Sequence, residues 1–400
     1  MSKGSTLRGN ERPSGRTLAP IVTTKLVPPR SIGRVVGRER LVAQLLEARR
    51  KRCVVIRGPA GFGKTSVMTA WRQALLSLDF DVAWLTLTAE DNEPTRWLDY
   101  LLACIARHDA ELTREAALLA GRGVDREAIE RAIIALVRAV SKSPRELVLM
   151  LDDLHFLTDP RVRESLQALL DYSPANLHFV LASRSAIPLS LARLRDQGLT
   201  LELDLRDLRF SSAESEEFLK AQLGQIDRRD ARLLHELTDG WVAGLQLLSV
   251  DWKKKRDVGG QFILTSPGRM HVQDALTFTE YFEREVLSGL PAPELEILEL
   301  ASACNRFCAS LCAALAGRPG ALADAAALLT RLESGNVFIL PVEGAERETW
   351  YRLHPLLGET LRERLSKRSP AELQAIHATA WTWFRNRGYL DEAVNHAVLA

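Results

Sequence analysis

The sequence is poor in the features that would place it in a specialised class. It has 5 cysteines in 400 residues, at positions that form no paired framework, which argues against a disulfide-stapled secreted domain. No apolar run approaches the roughly 20 residues that a membrane span needs. The first 20 residues, "MSKGSTLRGNERPSGRTLAP", lack the apolar stretch of a secretory signal and read as a polar, disordered lead-in. Lys and Arg number 53 against 51 Asp and Glu, a net charge of +2, so bulk charge demands no polyanionic partner. No Ser-His-Asp or Cys-His arrangement can be argued from the order of residues. The balance, 46% hydrophobic and 26% charged, is ordinary for a globular chain of two or three domains in a reducing cytoplasm.

Against that plain background one stretch stands out: "CVVIRGPAGFGKTSVM", Cys53 to Met68. Four apolar residues lead into a glycine-rich loop, then Lys-Thr, then a helical pattern. Gly58, Gly61 and Gly63 allow backbone conformations that residues with a Cβ avoid. Such a loop curls its N–H groups around an anion, and the following helix adds the positive end of its dipole. Lys64 would place charge on the β- and γ-phosphates, and the Thr65 hydroxyl would ligate Mg²⁺. Gly58-x4-Gly63-Lys64-Thr65 is the complete phosphate-loop pattern. The candidate nucleotide contacts are therefore Gly58, Pro59, Ala60, Gly61, Phe62, Gly63, Lys64, Thr65 and Ser66. A Gly-rich turn with no ligand is the bland alternative, disfavoured by the strand before and the helix after.

Residues 51–205 alternate strand-like and helix-like segments. Apolar runs at 53–58, 81–87, 146–153, 177–184 and 199–205 suit strands buried on both faces of a parallel sheet. Helical patterns lie between them at 64–76, 95–107, 126–141 and 160–172, which predicts an α/β fold with a parallel sheet flanked by helices. After 205 the strand signal fades. Ser211 and Glu214 form a capping box ahead of an amphipathic helix, and 228–254 reads as two more helices turning at Asp239-Gly240. The charged stretch 253–271 reads as a linker. From Phe278 to Leu365, helices precede a hairpin ("VFILPV" and "ETWYRLH") and a further helix, the order of a winged helix. The last 32 residues read as a helical hairpin bending at Gly388, the opening of a helical-repeat array that continues in a longer protein. The expected divisions are 1–20 lead-in, 21–210 nucleotide-binding domain, 211–270 helical lid, 271–368 winged helix and 369–400 start of the repeats.

A second half of the nucleotide site follows from "ELVLMLDDLHFL". An apolar strand ends in Asp152 and Asp153, at the edge where open α/β sheets place ligands. Asp152 would hold Mg²⁺ and Asp153 would polarise the attacking water. Helix capping is the alternative use of such acids. Arg184, after the fourth strand, is placed to sense the terminal phosphate, or else forms a surface ion pair. Upstream lies "VVGRERL", Val35 to Leu41.

Together these motifs resemble the STAND class of signalling NTPases, relatives of AAA+ ATPases that include apoptotic and plant-resistance switches. Within it, "TTKLVPPR", "LASRSAIPLSLARLRDQGLTLELDLRDLRF", "LTDGWVAGLQL" and "YRLHPLLGETLRERL" resemble the maltose-regulon activator (MalT-like) subgroup of LuxR-family bacterial regulators, over roughly residues 20–400. The resemblance implies that Val36, Gly37 and Arg38 border the adenine. It also implies that the winged helix packs over ADP in the resting state, with His354 approaching the nucleotide. The bland reading of His354 is a histidine that follows a strand. The family's superhelical sensor and terminal helix-turn-helix are missing from these residues, so inducer and DNA would act only through domains outside this chain.

Other constellations weigh less. Cys304, Cys308 and Cys312, four apart, would form one stripe on a helix, and two turns are too long for a single metal ion, so they read as core. Trp381, Trp383 and Phe384 read as packing anchors, and the basic runs 47–52 and 253–256 as solvated faces. The expectation is a cytoplasmic ATP- and ADP-dependent switch using Mg²⁺, self-associating in the ATP state and reset by slow hydrolysis. Three alternatives stay open: a defence or signalling ATPase with another output, a remodelling AAA+ ATPase, and a non-catalytic ADP clamp.

Overall fold

The structure, a computed structural model, describes residues 21–29, 36–121, 125–257, 276–318, 320–334, 338–342 and 348–400. The lead-in expected at 1–20 lies outside them. Five strands, β1 (Cys53–Arg57), β2 (Asp81–Thr86), β3 (Leu147–Asp152), β4 (Leu177–Ser183) and β5 (Thr200–Leu203), form one sheet. All are parallel, in the order β2-β3-β4-β1-β5. Every residue of β3 and β4 is buried, which is why these segments are apolar without alternation. Alternate residues serve two cores: Val54, Ile56, Met150 and Val180 face one, and Cys53, Val55, Leu149 and Leu181 the other.

Strand order has a consequence for the site. β4 lies between β1 and β3, so the ends of β1 and β3 are about 10 Å apart, two strand spacings. The loop after β1 and the acids after β3 flank the end of β4. Helices Lys64–Leu76, Pro94–Ala106, Arg126–Lys142 and Pro160–Asp171 pack on the sheet close to their expected bounds. Two further helices, Glu39–Glu47 and Glu111–Ala120, were not signalled by the sequence. The second is short and buries Leu112, Thr113, Ala116 and Ala120, so packing adds to the propensity of a segment rich in Ala, Leu and Glu.

The segment expected to form a lid, called the lid below, comprises Ser212–Leu223, Arg228–Thr238 and Val242–Asp257. Its capping box is present: the Glu214 amide donates to Ser211 Oγ (3.2 Å) and the Ser211 amide to Glu214 Oε2 (2.8 Å). The linker expected from residue 253 is corrected in part, because 253–257 continue the last lid helix; 258–275 lie outside the described residues. In the winged helix, Ala292–Ala301, Ala309–Leu315 and Leu322–Ser334 precede antiparallel β6 (Ile339–Val342) and β7 (Trp350–Leu353), then Pro355–Leu365.

The three cysteines correct the expected stripe. Cys308 caps Ala309–Leu315 from outside and Cys304 precedes it, so only Cys312 is helical. All three are buried and free, and burial pushes the Cys304 thiol up to about 12. Among the described residues, no group of three His, Cys, Asp or Glu could hold a metal.

Helices Pro370–Asn386 and Leu390–Leu399 form the terminal hairpin around Gly388, whose φ of 83° suits glycine. Phe384 stacks on Trp350 at 6.4 Å, so the aromatic group anchors the hairpin to β7. One apolar core runs from the sheet through Phe218 and Trp241 of the lid to Phe307 and Trp350 of the winged helix and Phe384 of the hairpin. Among the described residues, no helix is long and apolar enough to cross a membrane.

Candidate functional site

The phosphate loop folds as its glycines require. Gly61 and Gly63 have φ of 77° and 80°, and Gly63 caps the helix that starts at Lys64. A Cβ on Gly63 would meet nothing within 4 Å, whereas one on Gly61 would lie 2.5 Å from Ala243 Cβ and 2.6 Å from Trp241 Nε1. Gly61 is therefore a point of close approach by the lid. The loop's outward carbonyls are taken: Trp241 Nε1 donates to the Ala60 oxygen (3.0 Å) and the Ala243 amide to the Gly61 oxygen (3.0 Å). Peptide units whose carbonyls are held on one side direct their amides to the other, which is what an anion nest requires. Phe62 is buried against Trp241 and Phe338, while Ser66 is exposed.

Lys64 is 7% exposed, and its ammonium donates to the carbonyls of Gly58 (2.7 Å) and Pro59 (2.9 Å). Burial lowers its pKa to about 8, opposed by Asp153 and assisted by Arg184. A buried ammonium bonded only to carbonyls gains when an anion arrives.

Asp152 ends β3 and is buried. It accepts from Thr65 Oγ1 (2.7 Å) and from the Asp153 amide (3.0 Å). Burial first, then the neighbouring Asp153, raises its pKa. Thr65 and Asp152 thus bring together two hard oxygens from different elements. That donor set fits Mg²⁺, which keeps most of its waters and binds few protein groups. Asp153 sits at φ 59°, so its side chain leaves the strand direction and is 28% exposed. Arg184 follows β4 and acts electrostatically on both Lys64 and His155.

The sequence reading missed His155. Its Nδ1 lies 3.8 Å from Asp153 Oδ1 without a hydrogen-bond partner, and its ring packs on Phe156 at 4.3 Å. Burial pushes its pKa down to about 4, so it is neutral near pH 7. The only available signal was a histidine two residues beyond Asp153.

The upstream segment divides its labour. Val36 is buried and Gly37 exposed. The Arg38 side chain leaves the segment for residues 207–214: it donates to the carbonyls of Leu208 (2.9 Å) and Asp207 (3.0 Å) and lies 3.0 Å from the Glu214 carboxylate. It also covers the Phe210 ring at 4.9 Å. Of Arg38, only the backbone stays beside Val36 and Gly37.

His354 is 1% exposed, between β7 and Pro355–Leu365. Its Nε2 donates to the Thr238 carbonyl (2.8 Å), which leaves Nδ1 as a buried acceptor without a partner. The ring packs edge-on against Trp241 (5.7 Å) and Phe338 (5.5 Å), and burial pushes its pKa down to about 4. His354 is thereby joined to the phosphate loop through Trp241, a residue that the sequence reading placed in a motif without assigning it a role.

Residues 34–181 match the AAA ATPase domain, and residues 283–373 match the MalT winged helix domain. The chain thus carries one segment similar to an AAA ATPase domain and another similar to the MalT winged helix domain. It is MalT-like over nearly its whole length. It is 28% identical over 381 residues to the HTH-type transcriptional regulator MalT of Cronobacter sakazakii, covering 95% of this chain and 41% of that protein. It is also 30% identical over 383 residues to the serine/threonine-protein kinase PknK of Mycobacterium tuberculosis, covering 95% of this chain and 33% of the kinase. The chain thus spans about a third to two fifths of these relatives. The Walker-type ATPase PABY2304 of Pyrococcus abyssi shares the fold, with a TM-score of 0.55 at 17% identity, over 82% of this chain and 96% of that one.

In the winged helix, the third helix, Leu322–Ser334, carries a single basic residue, Arg331, which lies 2.9 Å from Glu294. A groove-reading helix presents several cationic or amide side chains. This one is occupied with packing, burying Ala325, Leu328, Leu329 and Leu332.

Proposed function

We propose that this chain is the nucleotide-operated switch of a MalT-like regulator, resting with ADP and activated by ATP. The observation that carries the reading is the convergence of Lys64, Thr65 and Asp152 at one sheet edge, under a lid and winged helix that share the sheet's apolar core. We divide the chain at 210/211, 270/271 and 368/369. Gly58–Ser66 would cradle the phosphates, with Lys64 supplying charge. Mg²⁺, held by Thr65 and Asp152, would neutralise phosphate oxygens. Val36, Gly37 and the Arg38 backbone would border adenine. In hydrolysis the water oxygen bonds to the terminal phosphorus, the bridging P–O bond breaks and ADP leaves. Asp153 takes the water's proton and Arg184 offsets the developing charge. Turnover is slow, because the reaction resets a latch.

ATP would favour self-association, and a ligand moves such an equilibrium only by its preference for one state. Inducer and DNA act through domains outside this chain, in the cytoplasm. The winged helix supports the reading by packing inward rather than offering a cationic face. The similarity to proteins named as a kinase and as a transcriptional regulator fits a module that serves different outputs.

The test is to denature the purified protein, identify released nucleotide by chromatography, and run size exclusion with ADP and with a slowly hydrolysed ATP analogue. Stoichiometric ADP, a monomer in ADP and a larger species in the analogue are expected; Lys64→Ala should lose the bound ADP and the analogue-driven species and stay a monomer throughout. No adenine nucleotide, and no change in Lys64→Ala, would refute the reading.

A further inference from the structure

The lid segment from Thr238 to Ala243 faces two ways. Towards the winged helix, the Thr238 carbonyl accepts from His354 Nε2 (2.8 Å), and the Asp239 carboxylate pairs with Arg352 of β7 (3.0 Å). The Trp241 ring lies 5.2 Å from Phe338 and 5.7 Å from His354. Towards the nucleotide site, Trp241 Nε1 and the Ala243 amide hold the Ala60 and Gly61 carbonyls, both at 3.0 Å. The backbone of the segment is sterically constrained. Asp239 and Gly240 both have positive φ (48° and 72°), and a Cβ on Gly240 would fall 2.5 Å from the Phe210 carbonyl. Arg209 also pairs with Asp239, on the same Oδ2, at 3.1 Å. Trp241 is fully buried.

We infer that Trp241 is a positioning residue for the phosphate loop, and that through it the seating of the winged helix sets nucleotide affinity. This rests on the nucleotide reading above. The loop binds an anion only while its amides turn inward, and they do so while the opposite carbonyls are held. Those carbonyls are held by a tight turn whose other face is gripped by β7 and His354. Removing the grip lets the turn shift, and a shift of a few tenths of an ångström is enough to lose aligned hydrogen bonds. By linkage, ADP in the loop holds the winged helix in place to the same extent.

The test uses Arg352→Ala and Trp241→Phe in the full chain, singly and together, with Mg-ADP affinity measured by calorimetry. Arg352 is partly exposed and does not touch the loop, so its truncation is compatible with folding; Trp241→Phe keeps a ring and loses the donor. Circular dichroism and the thermal midpoint verify folding. Each single variant should bind Mg-ADP about threefold to tenfold more weakly, the scale of one hydrogen bond. In the Trp241→Phe background, Arg352→Ala should add almost nothing, because its effect travels through Trp241. Unchanged affinity in folded Arg352→Ala, or full additivity in the double variant, overturns the inference. Lys64→Ala separates the two failures. If wild type binds Mg-ADP and Lys64→Ala does not, while Arg352→Ala binds normally, only the coupling is wrong.

Discussion

Acidification should loosen the seat of the winged helix through His354. The buried Nδ1 has no partner, and protonating it would leave a buried cation among Trp241 and Phe338. Its pKa falls from 6.5 in an exposed histidine to about 4 in the fold. The unfolded chain therefore binds more protons than the folded one between those values, and stability rises with pH across the window. The contribution is complete above pH 6.5 and is lost as pH falls towards 4. At pH 5 the two populations differ by a factor of about 30, or about 2 kcal/mol. His155 and His396 are also held low, so wild type alone would show a larger slope. His354→Gln isolates the one residue, since an amide donates to the Thr238 carbonyl but does not titrate. The assay is urea unfolding followed by tryptophan fluorescence at pH 7.5 and pH 5 for both proteins. Wild type should lose about 2 kcal/mol more than the variant over that interval. Equal losses would mean that His354 is solvated or has a partner, and the reasoning would fail.

Three further outcomes follow from the same geometry. Gly61→Ala should lower the thermal midpoint by the equivalent of roughly 1–3 kcal/mol, because its Cβ would lie 2.5 Å from Ala243 Cβ at φ 77°; Gly63→Ala, open on that side, should cost less in the same melt. Asp152→Asn should abolish the Mg²⁺ dependence of ADP binding in a titration with and without the metal, while raising metal-free stability by removing a buried carboxylate whose pKa is already pushed up. Arg306→Ala removes a cation 4.3 Å over Trp350 and 5.0 Å over Tyr389, together with its 2.7 Å pair to Glu392. Amide exchange in Leu390–Leu399 should then accelerate by about fivefold to thirtyfold, with Mg-ADP affinity unchanged.

Local chemistry determined a great deal of this protein from the sequence by itself. β3 and β4 were legible because burial on both faces demands unbroken apolar runs. Gly58 to Thr65 was legible because anion binding by backbone amides tolerates few residue types, and Ser211 with Glu214 because a capping box lies within four residues. Helix Glu111–Ala120 was not, since its four buried residues leave a weak pattern that only its packing completes.

What the tertiary structure alone decided concerns residues far apart in the chain. That β4 separates β1 from β3, that Arg38 reaches across to residues 207–214, and that His155 faces Asp153 are matters of which surfaces meet. The link from His354 to Thr238, and from Trp241 to Ala60, spans 116 and 181 residues. Periodicity and spacing report on neighbours within a turn or a strand. A joint between lid, winged helix and phosphate loop exists only once the long-range core has closed around it.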